Sequence, residues 1–355
     1  MRVTTKVHMI DLQHLLEAHR KFNSLLRDLA LGIKIDTFIQ QVVETVEECI
    51  PHSFASILHL DPKTQTLHCA TKNNLPDFYN QAINGIEIGP EVGSCGAAAF
   101  LKEPVIASNI NTHPNWQNYL ALTQQANLHA CWSIPILCSK KKVLGTFAIY
   151  HQKPTTPEPE EREILDIAAL VVSVAIEKQT LEEQVTYAAT HDELTGLYNR
   201  NYLNQAGEAL LSLSKRKQQP LALLFLDLNK FKLINDNLGH KRGDILLKQI
   251  AEEIKLSIRP SDIAVRFGGD EFIILMLLDN IEESTLIAKR IQKNIKNKTN
   301  NTILELGFGV SIGIASNTNN YKSTLSKLIN MADKAMYYSK KHQLEFSQYE
   351  VDTKS

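Results

Sequence analysis

The chain has 355 residues, 43% of them hydrophobic and 22% charged, a length that suits about two domains and a balance that excludes long disorder, a collagen-like repeat or a small disulfide scaffold. With 38 Lys and Arg against 39 Asp and Glu, the formal net charge of −1 gives no global field toward nucleic acid or an anionic membrane, although a local patch stays open. The five cysteines, Cys49, Cys69, Cys95, Cys131 and Cys138, show no CxxC or His/Cys ligand spacing, which disfavours a disulfide framework or a zinc site and points to a reducing, cytoplasmic compartment.

The start, Met1 to Lys6, lacks the apolar core of a signal peptide. The longest apolar stretch, Ile167 to Ile176, is broken by Ser173, short of the roughly 20 residues a bilayer span needs. No membrane association is therefore expected. Leu12, Leu15, His19, Phe22, Leu26 and Leu29 follow 3-4 spacing on a first helix. That seam suits either packing on its own domain or a parallel dimer contact.

From Asp36 the pattern becomes mixed α and β. Asp36 is placed to cap a helix through Phe38, Val42 and Val46 that stops at Pro51. Phe54–Leu60 and Leu67–Ala70 read as strands, Gly93 to Ala99 as a small-residue turn into a short helix, and Ser133–Cys138 with Val143–Tyr150 as a hairpin. After a Pro-rich stretch, a long helix spans about Glu160 to Ala189 with two stripes. Leu165, Ala169, Val172 and Ile176 suit the preceding domain. Ile164, Ile167, Val171, Val174, Lys178, Leu181, Val185 and Ala188 form a coiled-coil seam, in which Lys178 would weaken packing and fix register.

Beyond His191 helices alternate with apolar strands. Leu221 to Leu226 is a continuous apolar run, as in a central strand buried on both faces. Helices are expected over Leu246–Ile258, Glu282–Ile295 and Leu325–Lys341, a strand over Phe308–Ala315, and polar loops at Lys298–Asn301 and Asn317–Asn320.

Asp227 falls at the carboxyl end of the buried run, where α/β sheets place ligands. A lone Asp there is equally a helix cap. Asn235 and Asp244 follow it, with Leu238-Gly239-His240 and Gly243 read as the intervening turn. Gly268-Gly269 suits a hairpin turn, because glycine tolerates positive φ. Its Asp270 and Glu271 are either an ordinary acidic tip or carboxylates held beside Asp227. Mg²⁺ takes hard oxygen ligands, commonly one or two carboxylates plus substrate phosphates. Two such ions suit activation of a hydroxyl for in-line attack on an α-phosphate.

Six ordered blocks then carry a resemblance: HDELTGLYNR at 191–200, DLNKFKLIND at 227–236, Gly239-His240 with Gly243-Asp244, RFGGDEF at 266–272, SIGIA at 311–315 and ADKAMY at 332–337. Residues from about 190 to 349 resemble the GGDEF diguanylate cyclases. The resemblance implies a palm-like domain, a central sheet flanked by helices, that joins two GTP into cyclic di-GMP across a homodimer. By motif match, Asp227 and Asp270 would hold Mg²⁺ (two ions per site, with Mn²⁺ an alternative), assisted by the Leu228 carbonyl. Asp270 would be the base, with Glu271 and Lys232 beside it. Asn235 and Asp244 would read guanine, Lys232 and Lys340 would meet phosphate, and Gly268 and Gly269 would let backbone approach the nucleotide.

Two departures stand out. Asn229 replaces the second Asp of the family's Asp-x-Asp pattern. Gln343-Leu344-Glu345 stands where the family has Gly-Arg-Asn, so Leu344 replaces an arginine that would bind triphosphate. The competing reading is thus a weak or inactive domain acting as a GTP or cyclic di-GMP receptor. Arg259-Pro260-Ser261-Asp262 is either a surface ion pair or, by its place before the signature, the family's inhibitory product site, with Arg290 as second arginine.

Residues from about 32 to 178 resemble a GAF domain through Gly89 to Gly96, Glu103-Pro104-Val105, His113 to Trp116, Ala130 to Ile136 and Leu144 to Phe147. That implies a sensor with a central antiparallel sheet, but names no ligand. Cys95 and Cys131 are either small buried hydrophobes or sensor thiols. Cys95 also resembles an element of GAF-type methionine sulfoxide reductases, but Gly85 stands where those enzymes need another Cys. The expected order is an N-terminal helix (1–31), a GAF domain (32–178), a connecting helix (160–190) overlapping its end, a cyclase domain (186–350) and a tail (351–355). This α/β (α+β) chain would be a cytoplasmic bacterial signalling protein without nucleic-acid or membrane partners.

Overall fold

A computed structural model describes residues 2–318 and 323–349, with side chains at residue 13 and from residue 15 onward. The chain divides after Glu182 into two compact units. The first holds α1 (Arg2–Ala30), α2 (Ile35–Cys49), β1 (Ser53–Asp61), β2 (Thr66–Cys69), α3 (Asp77–Ile83), β3 (Ile86–Glu87), α4 (Cys95–Leu101), β4 (Val105–Ala107), a 3₁₀ helix (Pro114–Tyr119), α5 (Leu120–Gln125), β5 (Ala130–Leu137) and β6 (Val143–His151). It also holds most of α6 (Pro159–Thr190), which runs on into the second unit.

The six strands form one antiparallel sheet in the order β3-β2-β1-β6-β5-β4. Side chains alternate between faces along a strand. Ala55, Ile57, Phe147 and Ile149 therefore join one core with α1, α2 and α6, while Leu58, Leu60, Ala148 and Tyr150 join a second core with α3 and α4.

The α1 seam packs within its own unit. Phe22 and Leu29 are buried, with Leu15 and Leu26 half-buried against the same core, and His19 Nε2 lies 3.3 Å from Glu163 Oε1 of α6. Leu12 lies outside the described side chains. Asp36 does not cap α2: Lys34 occupies that position and Asp36 falls in the first turn, where its charge favours the helix dipole.

On α6, Leu165, Ala169 and Val172 face the core as expected, with Ile176 packed at its edge. The second stripe is corrected. Ile164 and Val171 are buried too, and the exposed apolar line runs instead through Leu170, Val174, Leu181 and Val185. Two stripes one residue apart on a helix differ by only about 100°, so spacing alone did not separate them.

The second unit comprises α7 (Arg200–Lys217), β7 (Leu221–Asn229), α8 (Phe231–Leu238), α9 (His240–Leu256), β8 (Ile263–Gly268), β9 (Glu271–Leu277), α10 (Glu282–Lys298), α11 (Asn301–Glu305), β10 (Gly309–Ser316), α12 (Leu325–Lys341) and β11 (Phe346–Gln348). The sheet order β11-β10-β7-β9-β8 puts β7 at the centre. Its Ala222, Leu224 and Leu226 pack with α9 and α10, and Leu221, Leu223 and Phe225 with α7 and α12. The continuous apolar run follows from burial on both faces.

Asn317, read as loop, is buried. Its Oδ1 accepts from the Leu221 amide at 2.9 Å and its Nδ2 donates to Ser214 Oγ at 2.8 Å. Asn319 and Asn320 lie outside the described residues. The Lys298–Asn301 loop shrinks to Thr299 and Asn300, and Asn300 caps α11. No described helix is long and apolar enough to cross a membrane.

Gly313 of β10 sets how closely α12 lies on the sheet. A Cβ there would fall 2.0 Å from the Ala332 carbonyl oxygen and 2.1 Å from the Met336 amide nitrogen, and backbone atoms cannot swing away. Gly313→Ala is expected to destabilise the second unit by about 1–3 kcal/mol. Calorimetry would read this as a lowered melting transition; an unchanged one would show that α12 shifts freely.

Candidate active site

One end of the second sheet gathers the acidic residues. Asp227 lies inside β7 rather than after it, directly across from Glu271 on β9. The β8–β9 connection is the two-residue turn Gly269-Asp270, and the Leu228 amide donates to the Asp270 carbonyl at 3.2 Å. The turn is thereby tied to the strand that bears Asp227. Neither Gly268 nor Gly269 has positive φ, so the expected reason for the glycines is corrected. The open ground is at Gly269, where a Cβ would meet nothing within 4 Å, whereas one on Gly268 would lie 3.4 Å from Glu271 Oε2.

The carboxyls feel one another. Burial pushes the Asp270 carboxyl above its ordinary range, and the charge of Asp227 adds to this against Lys340 and Arg266. Glu271 is raised by burial first and then by Asp227, Asp270 and Asp333. Lys340 Nζ lies 2.5 Å from Asp227 Oδ1, so its ammonium stands where a cation would be wanted. Among the described residues no three His, Cys, Asp or Glu converge tightly enough to hold a metal alone. Two carboxylates with a resident cation as stand-in fit Mg²⁺, which relies on substrate phosphates for further oxygens.

Arg266 of β8 ties the turn to a distant loop. Its Nε and Nη2 donate to the Gly269 carbonyl at 3.1 and 2.8 Å, and its Nη1 to both Asp192 oxygens at 3.1 and 3.2 Å. Burial acts to raise the Asp192 carboxyl, but bonds from Thr195 and Arg266 outweigh it and hold it below the usual range. The Arg266 fork thus pins the turn to the 191–200 loop. Its only sequence signal was a place inside a motif block.

Asn235 and Asp244 sit on α8 and α9. Gly239 is the break between these helices, with φ of 81°. His240 and Gly243, expected in the turn, are already helical. Gly243 packs under Asn235, since a Cβ would fall 1.9 Å from Asn235 Oδ1. That oxygen is buried without a hydrogen-bond partner, and Asp244 is exposed one residue on. Lys232 is exposed in the first turn of α8. Asn229 and Ser311 bond reciprocally through Nδ2–Oγ at 3.0 Å and Oγ–Oδ1 at 3.1 Å.

A cleft of about 350 Å³ adjoins Lys340, lined also by Asn229, Lys296, Phe308, Gln343 and Leu344. A second cleft of about 310 Å³ includes Arg259 and Asp262, with His191, Tyr198 and Lys255. The Arg259 amide donates to Asp262 Oδ2 at 2.9 Å and its Nη2 to Glu283 at 3.1 Å. Arg290 donates to the Ser257 carbonyl from Nε at 3.1 Å and Nη2 at 2.5 Å. Burial raises the Asp262 carboxyl, opposed by Arg259 and Arg290. These three residues therefore share one patch. Glu283 is an addition that sequence did not suggest. Cys95 and Cys131 are both buried in the first unit.

Residues 189–345 match the family model described as diguanylate cyclase, GGDEF domain, and residues 33–177 that of the GAF domain. Diguanylate cyclase DgcS of Shewanella oneidensis is 35% identical over 158 residues, covering 44% of this chain and 52% of that protein. This chain thus spans about half the length of DgcS. Diguanylate cyclase DgcP of Escherichia coli is 29% identical over 324 residues, covering 89% of this chain and 93% of that protein. The solved GGDEF domain of TpbB, also called YfiN, from Pseudomonas aeruginosa aligns at 32% identity with 46% of this chain and 95% of that one, with a TM-score of 0.42.

Proposed function

We propose that this chain, a GAF domain followed by a GGDEF domain, is a diguanylate cyclase that condenses two GTP into cyclic di-GMP with release of two pyrophosphates. The observation that carries this reading is the acidic end of the sheet: Asp227 and Glu271 in cross-strand register, with Asp270 on a turn bonded to Leu228.

In this reading Asp227 and Asp270 hold Mg²⁺, with the Leu228 carbonyl as a further oxygen. When bound, the metal supplies charge neutralisation at the triphosphate and acidifies the attacking hydroxyl. Asp270 accepts the proton of the 3′-hydroxyl. Its raised carboxyl makes it a stronger base than an ordinary Asp, and Glu271 keeps the pocket acidic. Asn235 and Asp244 read the guanine edge, where a carboxylate accepts the N1–H and 2-amino hydrogens. The buried, unsatisfied Asn235 Oδ1 supports a polar ligand there. Lys232 and Lys340 bind phosphate, Lys340 turning from Asp227 to the nucleotide. Gly268 and Gly269 leave the approach open.

Each copy binds one GTP, so the reaction needs two copies facing each other. The exposed line of Leu170, Val174, Leu181 and Val185 on α6 supports a homodimer, whose pairing the GAF domain biases. Product binds at Arg259, Asp262 and Arg290, where guanidinium forks suit guanine edges and phosphates, and this binding restrains turnover. A receptor reading draws on Leu344, which lines the cleft by Lys340 in place of a cationic side chain.

The test is purified full chain with GTP and Mg²⁺, products resolved by anion exchange, for wild type and Arg259→Ala. The cyclase reading expects cyclic di-GMP from both, with inhibition by added product lost in the variant. Nucleotide binding without product would establish the receptor reading. Equal inhibition of both proteins would remove the product site from Arg259.

A further inference from the structure

We propose that Cys95 and Cys131, in the first unit, form a peroxide-responsive dithiol pair that closes to a disulfide. The two residues come from different elements, the start of α4 and the edge-proximal strand β5, and are locked together by their surroundings. Ser94 Oγ donates to the Cys131 carbonyl at 3.2 Å and accepts from Trp116 Nε1 at 3.1 Å. The residue before one cysteine is thereby fixed to the backbone of the other. Cys131 pairs across the strands with Tyr150, so the two side chains share a sheet face. Cys95 Sγ lies 3.6 Å from Tyr150 Oη, so both cysteines border the same tyrosine, and each thiol shifts the ionisation of the other.

The chemistry of the two sulfurs differs. Cys95 is pulled down to about 7 by hydrogen bonds, led by Cys131 and joined by Ser133, Tyr150 and Thr146, against the effect of burial. Cys131 is pushed well up by burial, so it stays a thiol. The Thr146 hydroxyl is buried with no hydrogen-bond partner, and it is among the groups that favour a Cys95 thiolate. At neutral pH Cys95 is the nucleophile and Cys131 the resolving thiol.

Access favours a small oxidant. Cys95 lines a cavity of about 30 Å³ with Tyr79, Val92, Trp116 and Tyr150. One water needs about 10–15 Å³ of such space, so a molecule of two oxygen atoms such as hydrogen peroxide fits and a peptide disulfide does not. In the first step the Cys95 thiolate attacks one peroxide oxygen. An S–O bond forms, the O–O bond breaks, and hydroxide leaves as water after taking a proton. In the second step the Cys131 sulfur attacks Cys95 Sγ, the S–O bond breaks, and hydroxide departs as water with the Cys131 proton. The two sulfurs give up two electrons in total and the peroxide becomes two waters.

Reduced full chain treated with stoichiometric hydrogen peroxide, alkylated and mapped by non-reducing peptide mass spectrometry, tests the pair without any variant. The expected result is a cross-link between the Cys95 and Cys131 peptides, reversed by dithiothreitol, and formed at least tenfold more slowly with oxidised glutathione. Cys131→Ala should instead leave Cys95 as a sulfenic acid, trapped by dimedone present as the oxidised chain is unfolded, while Cys69→Ala should keep the cross-link. A Cys69–Cys95 link, over-oxidised Cys95 beside alkylated Cys131, or five alkylated thiols would each overturn the proposal. None of these readouts depends on cyclase activity.

Discussion

Asp270→Asn is expected to lower cyclic di-GMP synthesis by about 10²–10⁴-fold, the usual contribution of a positioned base, without lowering thermal stability. Asp227→Asn should match it, because in the proposed mechanism the two carboxylates would act on the same phosphate and metal. The stability half follows from linkage. Burial and the Asp227 charge raise the Asp270 carboxyl in the folded chain. A raised acid binds its proton more tightly when folded than when unfolded. It therefore costs stability wherever it is ionised in both states, at pH above its folded value. That cost vanishes below its unfolded value, where both states are protonated. Asn removes the charge and the cost together, so the melting temperature at neutral pH should stay equal or rise. The same shift moves the acid limb of the wild-type rate profile upward relative to an ordinary Asp. Arg266→Ala is the companion test: it frees the Gly269 carbonyl and should lower turnover while binding of GTP persists, as befits a residue that positions the turn. Activity within threefold of wild type for Asp270→Asn would remove this residue from the chemistry.

Much of this site was legible because its signals are local. The apolar run at 221–226 gave the central strand, and the carboxylates sit within motifs whose order along the chain matches their meeting in space. What escaped was long-range or conformational. The Lys340–Asp227 pair joins residues 113 apart in sequence and the Arg266–Asp192 pair residues 74 apart, and no periodicity encodes such pairings. Asn317 looked like loop because polarity was read without its buried partners. Gly243 looked like a turn, yet its missing Cβ serves helix packing against Asn235. On α6, Ile164 and Val174 fit the same spacing rule but lie on opposite sides of the buried boundary, which only the packed neighbours decide.

Leu344→Arg is expected to lower the KM for GTP roughly tenfold to a hundredfold, with kcat little changed. The backbone at this position is already fixed: the Leu344 amide donates to the Ser339 carbonyl at 2.9 Å, and Ser339 Oγ donates to the Leu344 carbonyl at 2.8 Å. The Leu344 side chain is 46% exposed, so replacing it removes no core. It lines the cleft that also holds Lys340 and Lys296, where a guanidinium would add a forked donor to two point charges. A hydrogen bond to a charged group is worth about 1.5–3 kcal/mol, which sets the size of the gain. A contact made equally to bound substrate and transition state changes KM rather than kcat. The preceding residue sharpens the test. Gln343 has φ of 55°, the left-handed conformation just beyond a helix end where glycine is favoured. Gln343→Gly should therefore stabilise the second unit by about 0.5–1 kcal/mol and leave KM unchanged. The double variant should show both effects additively, since one acts on the backbone and the other on the ligand. A KM that does not move in Leu344→Arg would mean that the triphosphate lies away from the end of α12, and Lys340 would then lose its phosphate role as well.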